Sequence, residues 1–150
     1  IAPSEINRYS VKNGDLLVCE GGEIGRCAIW SSSQANESVG FQKALHRVRS
    51  FRPSEENIRY LYYVMMAAGH VGAFHLTAKT STISHLTGEM FRVYRFPQPP
   101  RKEQDAIVSY LDGKTNQIDL LIQKEEAVIN LLYEFKSTYI SEAVTGKIKL

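Results

Sequence analysis

The sequence predicts an α+β fold, in which a β-rich globular domain with one small helix precedes one long C-terminal helix of the coiled-coil type. Three observations predict it. Short apolar runs bounded by turn residues occupy the first two thirds of the chain. Three prolines, at 97, 99 and 100, then interrupt it. After them, apolar residues recur at helical spacing almost to the C-terminus. We therefore divide the chain into a domain at 1–98 and a helix at 99–150.

Turn signals delimit the strands of the first part. Asn13-Gly14-Asp15 introduces an apolar run, and Gly21-Gly22 separates that run from the next, so the two predict a hairpin. A loop is expected at 31–36. The four predicted strands lie at 16–19, 24–30, 41–48 and 91–96.

One helix is predicted inside the domain. Ser54 is a suitable N-cap, and Glu55 and Glu56 then lie in the first turn. Apolar residues from Ile58 to Met65 follow the spacing of one helical face. Gly69 or Gly72 is expected to end this helix.

The long helix is predicted from about Lys102 to Val144, with Gly146 at the position after its end. It would hold roughly 40 residues and extend about 60 Å. A domain of about 100 residues cannot cover so long an apolar stripe, so part of the stripe should meet another chain or segment. Ile122, Ile129 and Ile140 widen it. The apolar residues of the 3.5-residue seam are Ile107, Leu111, Ile118, Leu121, Val128, Leu132, Phe135 and Tyr139.

Two charged residues, Lys114 and Glu125, interrupt the seam. Polar seam residues often fix the register or the orientation of partner helices. Both side chains can equally lie at the seam edge and reach solvent.

Composition excludes several classes of protein. The 150 residues are 43% hydrophobic, which is ordinary for a globular protein. No apolar run approaches the roughly 20 residues of a membrane span, and no leader opens the chain, so we expect a cytoplasmic protein without a membrane partner. The first residue is Ile1, which suggests a piece of a longer polypeptide. Cys19 and Cys27 match no common zinc spacing and are expected to be buried or half-buried thiols.

Motifs for catalysis or nucleotide binding are missing from the sequence. The histidines at 46, 70, 75 and 85 have no metalloprotease spacing, and capping or packing is expected of His70 and His75. The glycines at 21–25 do not form a dinucleotide fingerprint, and there is no P-loop. We expect no metal and no nucleotide cofactor in this chain.

Basic residues concentrate in one segment. The net charge is +2, yet residues 43–52 hold four Lys and Arg, one His and no acid. This segment could hold a polyanion, or it could be an ordinary solvated face.

Four segments, in order, resemble the specificity subunits of type I restriction-modification systems. The stretch 96–104 resembles the junction P-x-P-P-x-x-E-Q, 107–119 the helix I-V-x-x-L-D-x-K-T-x-x-I-D, and 140–148 the ending I-S-E-A-V-T-G-K-I. Upstream, 9–17 with Gly21, Gly22 and Gly25 resembles Y-x-V-x-x-G-D-L-L…G-x-x-G. The loop at 82–87 is similar to the loop before the junction.

The resemblance implies a non-catalytic subunit that reads double-stranded DNA. In this family, two target-recognition domains each read half of a split sequence, and two packed helices set the gap. The helices dock modification (methyltransferase) subunits, and a restriction (translocase and nuclease) subunit joins them; S-adenosylmethionine, ATP and Mg²⁺ are expected on those partners. This chain would be half of such a subunit, with part of the recognition domain preceding Ile1. It would pair with itself or with a second half subunit through the long helix.

Candidate contact residues follow from the chemistry of DNA recognition. Base edges in the major groove are read by Arg, Gln or Asn, while phosphate contacts fix the register. For each residue the alternative is a solvated surface position. Candidate base readers are Gln42, His46, Arg47 and His85; candidate phosphate contacts are Lys43, Arg49, Lys79, Thr80, Ser81 and Thr82.

Two other functions stay open on the residues alone. One is a protein-interaction scaffold that dimerises through the long helix. The other is an enzyme with an unrecognised site. Salt dependence separates the first from a DNA reader, because only phosphate contacts make affinity fall steeply with salt.

Overall fold

A computed structural model describes residues 6–32, 39–74 and 85–148, apart from the side chain of Asn7. The α+β prediction is confirmed. Two compact units, Ile1–Val108 and Ser109–Leu150, are treated separately below. The elements are α1 (Ile6–Tyr9), β1 (Leu16–Cys19), β2 (Cys27–Ile29), β3 (Leu45–Val48), α2 (Ile58–His70), α3 (Gly88–Val93) and α4 (Arg101–Val144).

A three-stranded antiparallel sheet with the order β2-β1-β3 forms the centre of the first unit. The predicted hairpin is confirmed, since β1 pairs with β2, with Leu17 opposite Ala28. Gly14, at φ +86°, makes the turn before β1, and its N–H donates to the Trp30 carbonyl at 2.9 Å. The second and third strands begin later than predicted, because turns precede both of them: Arg26 N–H donates to the Glu23 carbonyl and Leu45 N–H to the Gln42 carbonyl, each at 3.0 Å.

The core lies on one face of this sheet. Leu16 and Val18 of β1 alternate with half-buried neighbours, as expected for a strand covered on one side. Each fully buried apolar side chain of this kind contributes about 1.5–3 kcal/mol. The buried core residues are Leu16, Val18, Ile24, Met65, Phe74 and Leu86.

The start of α2 differs from the prediction. The helix begins at Ile58 and has no acidic residue in its first turn; its N-cap is Asn57, and Ser54 is not the cap. The N–H groups of Glu55 and Glu56 donate to the Arg52 carbonyl at 2.9 Å, so both residues belong to a preceding turn. At the other end Gly72, one of the two predicted terminators, takes φ +71° just after the C-cap Val71.

The strand predicted at 91–96 is wrong. Residues 91–93 belong to α3, and Thr87 caps that helix, its hydroxyl accepting from Met90 N–H at 3.3 Å. Aromatic and β-branched residues favoured a strand by propensity. Packing overrides that propensity here, because Phe91 and Met90 lie against the core and Phe96 packs with Phe74 at 6.5 Å between ring centroids.

The long helix is confirmed. It runs over 44 residues from Arg101, directly after Pro100, and Gly146 takes φ +71° beyond its end. At about 1.5 Å per residue its length is about 66 Å. Gln104 and Val108, in its first turns, are buried within the first unit. That unit thus extends beyond residue 98, and the division between 98 and 99 as a functional boundary stays a prediction.

Across the described ranges, no helix is long and apolar enough to cross a bilayer. Among those same residues, no group of three or more His, Cys, Asp or Glu could hold a metal ion.

Candidate nucleic-acid interface

Arg47, a candidate base reader, lies on the outer face of the sheet, which is the face away from the core. Residues opposite each other in an antiparallel pair share a face. Leu17 is opposite both Ala28 and Arg47, whereas the core residue Val18 is opposite His46. Arg47 therefore lies on the face away from the core, and His46 lies on the core face.

An N-terminal segment is joined to the loop before β3 on this side. Ser10 and Gly40 form a bridge, and Val11 N–H donates to the Val39 carbonyl at 2.9 Å. Phe41 N–H donates to the Tyr9 carbonyl at 2.8 Å. The Arg47 guanidinium closes the arrangement by donating to the Ser10 carbonyl at 2.5 Å.

Three cations surround two aromatic rings at this junction. The rings of Tyr9 and Phe41 meet edge to face at 5.5 Å. Arg8 and Lys43 approach the Tyr9 ring, with their charged groups 5.5 and 5.6 Å from its centroid, and Arg47 lies 5.6 Å from the centroid of Phe41. We call these five residues the basic–aromatic cluster.

This cluster combines charge with restricted motion. An aromatic face attracts a cation and limits its rotamers. Arg8 and Lys43 are exposed, and no acidic residue is among the five. The exposed amide of Gln42 adjoins Lys43 and offers the paired donor and acceptor that can recognise adenine. The arrangement suits a polyanion that also displays base edges.

Arg49 is engaged in an ion pair inside the domain. Its Nε and Nη2 donate to the two carboxylate oxygens of Asp15, both at 2.6 Å. The Asp15 side chain is only 2% exposed. Burial opposes its ionisation, but hydrogen bonds from Arg49 and from the Lys12 N–H outweigh burial and hold the pKa of Asp15 below its ordinary value. Two of the N–H donor groups of Arg49 are thus used in a hydrogen-bonded ion pair within the domain.

His46 also has its polar contact within the domain. Its Nε2 lies 2.5 Å from the Leu86 carbonyl, and because a carbonyl only accepts, Nε2 carries the proton. The ring stacks on Phe91 at 5.5 Å, and Nε2 is 4.0 Å from Glu20. With 17% of its side chain exposed, His46 ties β3 to the segment before α3.

Unlike His46, which is half-buried, His85 is exposed. A Cβ added to Gly21 would lie 2.9 Å from His85 Nδ1, so the imidazole rests against the glycine backbone. The absence of a side chain at residue 21 therefore leaves room for this ring. The other candidates in this region, Lys79, Thr80, Ser81 and Thr82, lie outside the described residues, as does His75.

Sequence reasoning missed three members of the cluster as site residues: Arg8, Tyr9 and Phe41. Tyr9 and Phe41 are 32 positions apart in the chain, and a backbone hydrogen bond joins them. The sequence feature that could have identified them is an aromatic residue close to a basic one. It occurs at Arg8-Tyr9 and again at Phe41, two positions before Lys43.

Both thiols are half-buried, as expected. The Cys27 Sγ lies 3.8 Å from the Tyr62 carbonyl. Burial, with a smaller contribution from nearby Cys19, raises the pKa of Cys27 to about 11, so this thiol is a poor nucleophile at neutral pH.

The second unit presents the predicted seam on its surface. Leu121 and Leu132 are 59% and 61% exposed, and Phe135 and Tyr139 contact each other at 5.0 Å between ring centroids. Ile118 and Val128 are exposed in the same way. The Lys114 ammonium lies 5.8 Å from the ring centroid of Tyr110. Of the remaining seam residues, Leu111 is half-buried, as is Ile107 in the first unit.

Comparison with known proteins accords with the resemblance seen in the sequence. The chain is 27% identical, over 142 residues, to the specificity subunit of the type I restriction enzyme EcoBI from Escherichia coli. The aligned region is 93% of this chain and 28% of that relative, so the chain spans less than a third of the relative's length. The sequence model of the type I restriction modification DNA specificity domain matches residues 2–131. Since that match covers most of the chain, the chain belongs to the family of type I restriction modification DNA specificity domains.

Proposed function

We propose that this chain is a DNA sequence-recognition half subunit of a type I restriction-modification system, which directs modification and restriction subunits to a split target. The observation that carries the proposal is the basic–aromatic cluster on the outer face of the sheet, in a chain that belongs to this family. Charged donors and an exposed amide adjoin there, as both phosphate and base contacts require.

The roles within the site follow from what each side chain already contacts. Arg8 and Lys43 are exposed cations and suit phosphates. Gln42 suits an adenine edge, and His85 is a second exposed candidate reader. Arg47 donates to Ser10 and keeps further N–H groups, so it suits a phosphate beside the cluster. Arg49 and His46 support the surface through Asp15 and Leu86.

The long helix suits more than one protein partner. Between Ile118 and Ile140, at about 100° per residue, the large exposed apolar side chains span an arc of about 220° centred near Leu121. A helix that packs against one surface needs a stripe of roughly 100°. We propose that one part of the arc packs antiparallel against a second copy, or against another half subunit, and that the rest docks modification subunits.

The chemistry would then be performed by the partners in a cytoplasmic complex. We propose that this chain is non-catalytic and binds no cofactor of its own. S-adenosylmethionine would be held by the modification subunits, and ATP with Mg²⁺ by the restriction subunit. Two identical readers related by a two-fold axis would recognise an inverted repeat with a fixed gap.

A methylation map tests this function. The chain is co-expressed with a modification subunit of the same restriction-modification system, and modified adenines are located by single-molecule sequencing. The expected result is a split, palindromic motif. Absence of modification in a preparation whose subunits co-purify would contradict the proposal.

Substitutions in the cluster then test the site. For Lys43→Ala and for Arg8→Ala, the slope of log affinity against log salt should fall by about 0.9 each, because each removes one phosphate contact. Lys124→Ala, on the long helix, is the matched control and should leave the slope unchanged. A flat salt response of the unsubstituted chain would favour a protein-binding scaffold instead.

A further inference from the structure

A network of polar side chains joins the start of α2 to the start of α4, wholly within the unit Ile1–Val108. Its centre is Gln104, which is 1% exposed although it carries an amide. A buried amide is costly unless its hydrogen bonds are made. Gln104 therefore indicates a place where directional bonding matters more than apolar packing.

The amide of Gln104 is fully used. Its oxygen accepts from the Asn57 N–H at 2.8 Å. Its nitrogen donates both protons, to the Glu55 carbonyl at 2.9 Å and to the Pro99 carbonyl at 2.8 Å. One side chain of α4 thus binds the turn that precedes α2 and the proline segment that precedes α4.

A second link lies beside the first. The side-chain oxygen of Asn57 caps α2 by accepting from Arg59 N–H at 2.9 Å, while its Nδ2 donates to Asp105 at 2.6 Å. Asp105 also accepts from Arg101 Nε at 2.8 Å, and Arg101 Nη1 donates to the Pro53 carbonyl. The side chain that begins α2 is therefore the same one that holds the first turn of α4.

We propose that Gln104 and Asn57 are positioning residues that fix the direction and the rotation of α4 at its origin in the domain. We call this network, centred on Gln104 and Asn57, the joint. The proposal deepens the proposed function, and its consequence for DNA rests on that function. The joint would determine how narrowly the length of the gap between the two half-sites is fixed. Hydrogen bonds to two different segments oppose both tilting and turning of the helix, which apolar contact alone would permit.

Because α4 is long, a small change in its angle at the first turn displaces its far end by a large distance. Over about 66 Å, a tilt of about 5° displaces the far end by about 6 Å. That displacement exceeds the ~3.4 Å rise of one base pair. A loosened joint should therefore admit neighbouring gap lengths without altering which bases are read.

Two substitutions test the joint with different demands on the fold. Gln104→Leu keeps most of the volume and removes three hydrogen bonds. Asn57→Asp keeps the oxygen that caps α2, removes the donor to Asp105 and places two carboxylates together. Gln98→Leu, at an exposed glutamine of the same proline segment, is the matched control. Circular dichroism and thermal unfolding establish that each variant is folded.

The first measurement needs no DNA. Spin labels are placed at Ala28→Cys on β2 and Asn116→Cys on α4, with Cys19 and Cys27 replaced by Ser and the labelled chain diluted into unlabelled chain. We expect the inter-label distance distribution to become at least twofold wider in Asn57→Asp and Gln104→Leu, and to be unchanged in Gln98→Leu. An unchanged width in both folded variants would overturn the proposal.

The second measurement is the methylation map of the same variants. We expect the bases of each half-site to be retained and modification at gaps one base pair longer or shorter to rise at least tenfold. Altered bases at an unchanged gap would overturn the positioning role. A wider distance distribution together with no split motif in the unsubstituted chain would refute the DNA function while retaining the mechanical role of the joint.

Discussion

The two compact units differ in how far their apolar side chains are exposed to solvent. In Ile1–Val108, Leu16, Val18 and Met65 have no exposed surface, whereas in Ser109–Leu150 Leu121 and Leu132 remain more than half exposed. In the first unit, the apolar side chains that cover the sheet come from the same unit. The apolar residues of the second unit match a seam whose other side must be supplied from elsewhere.

Charge separates the two parts of the chain as well. Residues 1–100 hold eleven Lys and Arg against eight Asp and Glu, while residues 101–150 hold seven against eight. The excess of positive charge is thus confined to the part that carries the basic–aromatic cluster. An apolar helix of nearly balanced charge suits protein contacts, and a basic domain suits a polyanion.

The largest expected effect concerns the helix alone. Leu121→Asp with Leu132→Asp should abolish self-association, because two apolar contacts worth about 1.5–3 kcal/mol each are lost in every chain and charges replace them. Sedimentation equilibrium should show monomers, with the domain's thermal unfolding unchanged. Gln123→Asp with Asn130→Asp, on the opposite side of the helix, is the control. A dimer that survives the Leu substitutions would refute the seam.

A glycine of the domain gives the next effect. Gly25 takes φ +82°, and a Cβ there would lie 2.4 Å from the Phe74 ring, so Gly25→Ala should cost about 3 kcal/mol of unfolding free energy. Gly22 also has a positive φ, +71°, but a Cβ there would meet no atom of the described residues within 4 Å, so Gly22→Ala should cost only about 1 kcal/mol. Urea unfolding followed by Trp30 fluorescence measures both. Equal losses would show that the Phe74 packing is not decisive.

The ion pair between Asp15 and Arg49, at one end of the sheet, predicts a pH dependence confined to the domain. Asp15→Asn should cost about 2 kcal/mol at pH 7, since the charged hydrogen bonds to Arg49 are weakened. Because the folded pKa of Asp15 lies below its ordinary value, this stabilisation is present above about pH 4 and is lost as the pH falls through the folded pKa.

Unfolding free energies measured from pH 7 to pH 2.5 should therefore converge for Asp15→Asn and the unsubstituted chain at the acid end. Glu23→Gln is the control, because Glu23 pairs with Arg26 while both side chains are more than 70% exposed. A constant difference across the whole pH range would contradict the assigned role of Asp15.

The smallest effect is chemical and leaves stability unchanged. With the pKa of Cys27 at about 11, only about one thiol in a thousand is ionised at pH 8, so alkylation should be slow. A cysteine introduced at Asn116, which is exposed on α4, should react at least a hundredfold faster. Mass spectrometry of peptides after timed iodoacetamide labelling compares the two sites. Similar rates would mean that the domain opens around Cys27.

Local signals predicted those parts of the fold that local interactions determine. The long helix α4 is predictable because every turn repeats the same apolar spacing, and Asn13-Gly14 marks the start of β1 because Gly14 makes the turn there with a positive φ. The aromatic composition of residues 91–96 favours a strand, whereas the cap at Thr87 and the packing of Phe91 against the core place residues 91–93 in a helix. Ser54 and Asn57 are both suitable caps by residue type, but the side-chain oxygen of Asn57 is the one that accepts from N–H groups of the first turn, and its Nδ2 also donates to Asp105.

The site was less predictable than the fold for the same reason. Lys43 and Arg47 are identifiable by charge, but their partners Tyr9 and Phe41 come from two segments that are distant in sequence and meet through the Ser10–Gly40 bridge and the hydrogen bonds beside it. The sequence also could not show that two donors of Arg49 are committed to Asp15, since their side chains are 34 positions apart.

The exposed apolar arc of α4 has a consequence for the supply of this chain in the cell. A newly made copy presents Leu121, Leu132 and Phe135 to solvent until a partner covers them, so it is exposed to chaperones, proteases and self-aggregation. Binding protects it by mass action. The steady-state amount of the chain should therefore follow the amount of its partners rather than its own rate of synthesis, which would keep unassembled DNA readers scarce.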